Sequence, residues 1–174
     1  MKRFVFSVLV AVLSIHTAVA SSWAQGFDRE AVLASSNQTC VELIASQLDS
    51  VGQVCVTFEE RELIIQVIAS EGYALAETHL AAGPSLDGIP RSDSGMPQIG
   101  RFPNKMTHLP VVPETTYRLR LEDLVPEDTE ELFIAVHASV VGSGDVEEGA
   151  WAAGPRFREP GSPATYFKVR VVRT

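Results

Sequence analysis

Three histidines and one glutamate in this chain have the donor chemistry of a metal site. Glu77 and His79 stand two residues apart, and so share one face of any strand that holds them; His108 and His137 follow. Three imidazoles and a carboxylate are a zinc or copper ligand set if the fold brings them to one point. The same four groups also fit a structural role. In that reading His137 is buried and hydrogen-bonded to a loop, and Glu77, His79, His108 and His137 form a polar latch between a sheet and a long connection. Trp151, Tyr166 and Phe157 offer aromatic faces on which a sugar could stack, while the neighbouring Ala152, Ala153 and Gly154 equally suit rings that cover a core. Asp87, Asp93, Asp145, Glu147 and Glu148 lie in glycine-containing stretches that could bind calcium, but the ligand order of an EF-hand is missing. No cofactor is expected; zinc, copper and calcium are the ions these residue sets could take.

Motifs for covalent or phosphate chemistry are absent: the sequence has no G-x-S-x-G, H-E-x-x-H, P-loop or G-x-G-x-x-G. Asp145, Glu147 and Glu148 read as an exposed acidic turn rather than a paired-carboxylate site. The two cysteines, Cys40 and Cys55, have neither C-x-x-C spacing nor a visible neighbouring base, so a disulfide between them is expected in an oxidising compartment. Closing a loop of that length contributes ~3 kcal/mol on the chain-entropy account.

The elements that must position these groups are short runs rich in Val, Ile, Tyr and Phe, separated by Gly, Pro and charged clusters. Val54–Phe58 passes through Glu59-Glu60-Arg61 into Glu62–Ala69, a hairpin, and Glu71-Gly72 turns the chain into Tyr73–Ala81. Thr116–Leu121 alternates, with Tyr117, Leu119 and Leu121 opposite Arg118 and Arg120. Leu132–Val141 is almost wholly apolar and predicts a central strand, and Tyr166–Val172 alternates again. Helix is expected only over Asp28–Ser35 or Val41–Leu48, where Leu43, Ile44 and Leu48 would serve equally in a covering turn. These spacings predict an all-β fold, an antiparallel β-sandwich of Ig-like or jelly-roll-like type.

Between Gly83 and Glu114 runs a connection with six prolines that carries its own apolar anchors, Ile89, Met96, Ile99, Phe102 and Met106. Anchors of that kind predict a long ordered loop rather than a linker.

The N-terminus places the chain. Lys2 and Arg3 precede an apolar run to Ile15 and then Ala18-Val19-Ala20, the layout of a secretory leader over residues 1–20. Residues 21–39 then form a lead-in segment and 40–174 a single domain, secreted or periplasmic, with no membrane span after leader removal. Without Lys2 and Arg3, 12 basic residues face 22 acidic ones, a net charge of −10, which disfavours nucleic acid and anionic membrane surfaces as partners. Asn37-Gln38-Thr39 is a glycosylation sequon if the host uses one.

Eight short pieces occur in a fixed order: Glu77-Thr78-His79-Leu80, Gly83, Ile89-Pro90, Gly95-Met96-Pro97, Gly100-x-Phe102-Pro103 with Thr107-His108, Ile134-Ala135-Val136-His137-Ala138, Ala150-Trp151-Ala152 and Ala164-Thr165-Tyr166-Phe167. Together, over residues 40 to 172, they resemble a secreted β-rich domain of bacterial and archaeal surface proteins. Its members read E-T-H-L-x-V-G, N-P-x-P-G-x-F-P-Y, I-A-A-H-A and T-A-W…W-x-T-Y-F. The chain departs from that pattern at Ala81 and Ala82, and at Glu59-Glu60-Arg61 in place of an Asn/Asp-Gly turn. The family has no assigned activity, so the resemblance implies an exported β fold and no catalytic residue. The expectation is an exported, non-catalytic domain that binds an extracellular protein or glycan, or has a structural role, at the envelope or beyond. The alternatives are a metal-binding protein or metal-dependent enzyme using His79, His108 and His137, and a glycan module using Trp151 and Tyr166.

Overall fold

A computed structural model describes residues 38–45, 49–158 and 162–173. The leader, the lead-in, the Asn37 sequon and the helix expected over Asp28–Ser35 lie outside the described residues.

Alternation and turn chemistry build the strands. Val54, Val56 and Phe58 of β2 (Ser50–Glu59) and Leu63, Ile65 and Val67 of β3 (Glu62–Ala69) point to one side and are buried. The two strands meet across Glu60-Arg61, where Glu60 holds a φ of 50°. Gly72, at φ 86°, turns the chain into β4 (Ala74–Gly83); a side chain there would be strained. β6 (Glu114–Arg120) has Tyr117 buried with Arg118 and Arg120 outside, and β9 (Phe167–Arg170) alternates as expected. β7 (Glu131–Val141) is central, paired with β4 on one side and with β8 (Glu147–Ala152) and β9 on the other.

The fold is all-β and antiparallel. Eight strands follow one path, β5-β4-β7-β8-β1-β2-β3-β6, with β9 attached to β7. The sheet curls until its end strands meet through side chains: the Thr115 hydroxyl of β6 reaches Met106 Sδ of β5 (Asn104–Val112) at 3.2 Å. Tyr117 donates to the Thr78 carbonyl of β4 and accepts from the Thr78 hydroxyl. Leu80, Ile65, Leu132 and Val136 are among the side chains filling the interior.

Two expectations change. Val41–Ala45 belongs to β1 (Gln38–Ala45), because backbone pairing with β2 and β8 overrides a helical spacing of apolar residues. The connection after Gly83 runs outside the strands only to Pro103, with short 3₁₀ turns at Leu86–Gly88 and Ile99–Arg101 and one isolated bridge between Arg91 and Pro97; Asn104–Val112 is β5, an end strand that tolerates Pro110. Cys40 and Cys55 lie directly opposite each other on β1 and β2 and are bonded. The bridge therefore joins two strands, with both cysteines consumed and none free.

Candidate functional site

Strand register assembles one row of side chains on the outer face of the sheet. Lys105 of β5 opposes His79 of β4, His79 opposes His137 of β7, His137 opposes Trp151 of β8, and Trp151 opposes Ile44 of β1. The inward neighbours on these strands are core residues such as Leu80, Val136 and Ala150, so parity fixes the row outward.

A second apolar cluster covers this outer face. Ala81, Ala135 and Trp151 from the sheet pack with Ile89 and Phe102 of the long connection and with Ala164. Alanines at 81 and 135 leave room for the covering loop. Phe102 and Phe157 both meet Trp151 edge-on at 6.4 Å, and Phe157 packs on Tyr166 at 5.2 Å. Gly154 is required here by close approach: a Cβ would sit 2.0 Å from the Tyr166 carbonyl oxygen.

Beside this cluster, in the same row as Trp151, lie the two imidazoles. The rings of His79 and His137 are 5.8 Å apart, and His137 meets Trp151 edge-on at 5.0 Å. His79 is 5% exposed, and the Nδ1 atoms of both histidines are buried without a hydrogen-bond partner. Burial, followed by the nearness of His79, holds His137 at a pKa of about 4. His79 is also lowered, chiefly by burial, against the opposing pull of Glu77. Glu77 is bound to Lys105 at 2.6 Å, lies 3.6 Å from His79 Nε2 and accepts from Thr107 at 3.5 Å; the Lys105 hydrogen bond is the main reason its pKa falls.

The candidate residues thus separate. Glu77, His79 and His137 come together, whereas His108 follows Met106 by two residues in β5 and takes the parity of that core-packed side chain, with Nε2 buried and unpartnered. Among the described residues, no three His, Cys, Asp or Glu side chains are placed to hold a metal ion. The polar contacts of Glu77 tie β4 to β5, and the long connection docks through apolar side chains. Trp151 is 7% exposed and its neighbours meet it edge-on, which is core packing rather than an open stacking platform; Tyr166 is half-buried against Phe133 and Phe157. Asp87 binds Arg91 at 2.6 Å and Asp93 lies in the tight turn closed by Ser92 and Gly95. Asp145, at φ 57°, Glu147 and Glu148 belong to the β7–β8 hairpin, in a different part of the fold.

Sequence reasoning did not find the cleft of about 610 Å³ beside this cover, bounded by Ile44, Gly149, Trp151, Pro163 and Thr165. Its volume falls within the range of small-ligand sites. Ala-Trp-Ala marks a bulky outward residue between small inward ones, but only the β1–β8 pairing reveals the opening beside it. Among the described residues, no helix is long and apolar enough to cross a membrane. No protein-family model, curated protein or solved structure matches the chain.

Proposed function

We propose that this chain is an exported, non-catalytic β domain with a binding role at the cell envelope or outside the cell. The observation that carries the reading is the employment of its reactive side chains in packing. Glu77 is engaged by Lys105, His137 by His79 and Trp151, and Trp151 by Phe102 and Phe157. A catalytic base would instead be aligned with a nucleophile and open to substrate. The Cys40–Cys55 bridge supports residence in an oxidising compartment, as do the leader-like N-terminus and the resemblance to secreted surface domains.

The cleft beside Trp151 favours binding over a purely structural role, with a small polar, sugar-like ligand as the class that suits an apolar floor rimmed by Thr165, Ser162 and Arg156. The test has two arms. Fractionation with thiol trapping should find the protein outside the cytoplasm with its cysteines oxidised; a reduced cytoplasmic protein would overturn the export reading. A glycan and small-molecule thermal-shift screen should give hits that Ala153→Trp, which fills the cleft, abolishes. Hits unaffected by that variant would move binding elsewhere.

A further inference from the structure

We propose that the facing His79–His137 pair makes the outer layer an acid-released cover: protonating these imidazoles lifts the 84–103 connection from the sheet and bares the apolar face around Trp151, while the inner core stays folded. Four observations converge on this. The two rings stand on paired positions of β4 and β7 with centroids 5.8 Å apart, close enough for two cations to repel on a face that also carries the Trp151 cluster. Both Nδ1 atoms are buried without a partner; once protonated, each would be a donor with no acceptor. His137 also touches Trp151, on which Phe102 of the connection rests. The inner core lies across the sheet, and its buried Tyr117–Thr78 pair is fully satisfied.

The charged groups acting on the pair are few. β4 supplies Glu77 and β5 supplies Lys105, which are bound to each other, so the one counter-charge is already shared. β8 contributes Gly149 and Trp151, and the cover contributes Phe102 and Phe157 through Trp151; none of these titrates. His137, held neutral to about pH 4, favours the closed layer at neutral pH and opposes it in acid.

Hydrogen exchange with mass spectrometry, corrected for intrinsic rate and run from pH 7 to pH 4 on the disulfide-intact mature chain, tests the proposal. The amides of Ile89, Gln98 and Phe102, which bond within the connection, should lose about 100-fold protection, while those of Ile64–Val67 keep theirs. The double variant His79→Gln, His137→Gln should hold the connection closed at pH 4. Unchanged protection of the connection in acid, simultaneous loss in the inner strands, or the same acid loss in the double variant would each overturn it. Should that variant not fold, the proton NMR titration of His137 in the native chain decides: protection of the connection must fall between the ordinary imidazole value and the measured His137 midpoint and level off below it, and protection that stays constant over that interval defeats the proposal.

Discussion

The two faces of this sheet are packed by different rules. The inner face carries long aliphatic side chains that interdigitate and a buried Tyr117–Thr78 pair whose hydrogen bonds are complete, with the unpartnered Nε2 of His108 at its β5 margin. The outer face is smaller, built on alanines and aromatic edges, and it encloses imidazole nitrogens that are left unbonded. The aliphatic part of the inner face is therefore a source of stability that does not depend on charge state. The outer face holds groups whose charge state depends on pH, so it is where the molecule can respond.

The largest effect that would sharpen this contrast comes from the inner face. Leu80→Ala should cost roughly 2–5 kcal/mol and loosen both layers, measured by urea unfolding; a loss confined to the outer layer would show that the layers do not share one foundation. Next comes acid. Because His137 is lowered in the folded state to about 4 from an ordinary 6.5, its contribution is full above pH 6.5 and disappears as pH falls through 4. That shift corresponds to roughly 3 kcal/mol, and a His137→Gln variant should lose less stability than the native chain between pH 6.5 and pH 4 in thermal melts.

Reducing Cys40–Cys55 should cost ~3 kcal/mol of global stability. Cys55 lies between inward-facing Val54 and Val56, so the bridge sits on the outer side, and exchange rates in β6 and β7 should change no more than elsewhere. Tyr117→Phe leaves Thr78 without its hydroxyl partner and should cost about 1–3 kcal/mol, read by chemical denaturation. The smallest effect is a gain: Glu60→Gly, at a φ of 50°, should relieve up to about 1 kcal/mol of left-handed strain and raise the melting temperature slightly.

Strands whose two faces differ could be read from the chain, because alternation is a local signal: Tyr117 against Arg118, Phe167 against Lys168. β7 was also legible as a central strand, from an almost wholly apolar run. β5 was hidden by Pro110 and Pro113, which look like loop residues yet are acceptable where one strand edge has no sheet neighbour. β8 was hidden by Glu147 and Glu148, whose charge reads as a turn until Ala150 and Ala152 are seen to face inward. β1 was lost to the spacing of Val41, Ile44 and Leu48, which fits a helix equally well. Of the site, only the shared face of Glu77 and His79 was visible. The juxtaposition of His79, His137 and Trp151 depends on register between strands far apart in sequence, which no local pattern encodes.

The path of the sheet has one more consequence, for the order in which the molecule can be assembled. β1, β2 and β3 can zip together as consecutive hairpins, but the second edge of β1 is completed only by Leu43, Ile44 and Ala45 pairing with Ala152, Trp151 and Ala150, about a hundred residues later. A chain emerging from its N-terminus thus has half of its sheet waiting, with an unsatisfied strand edge, until the last quarter has arrived. Completion is a late, non-local event, and such a chain is slow to become compact.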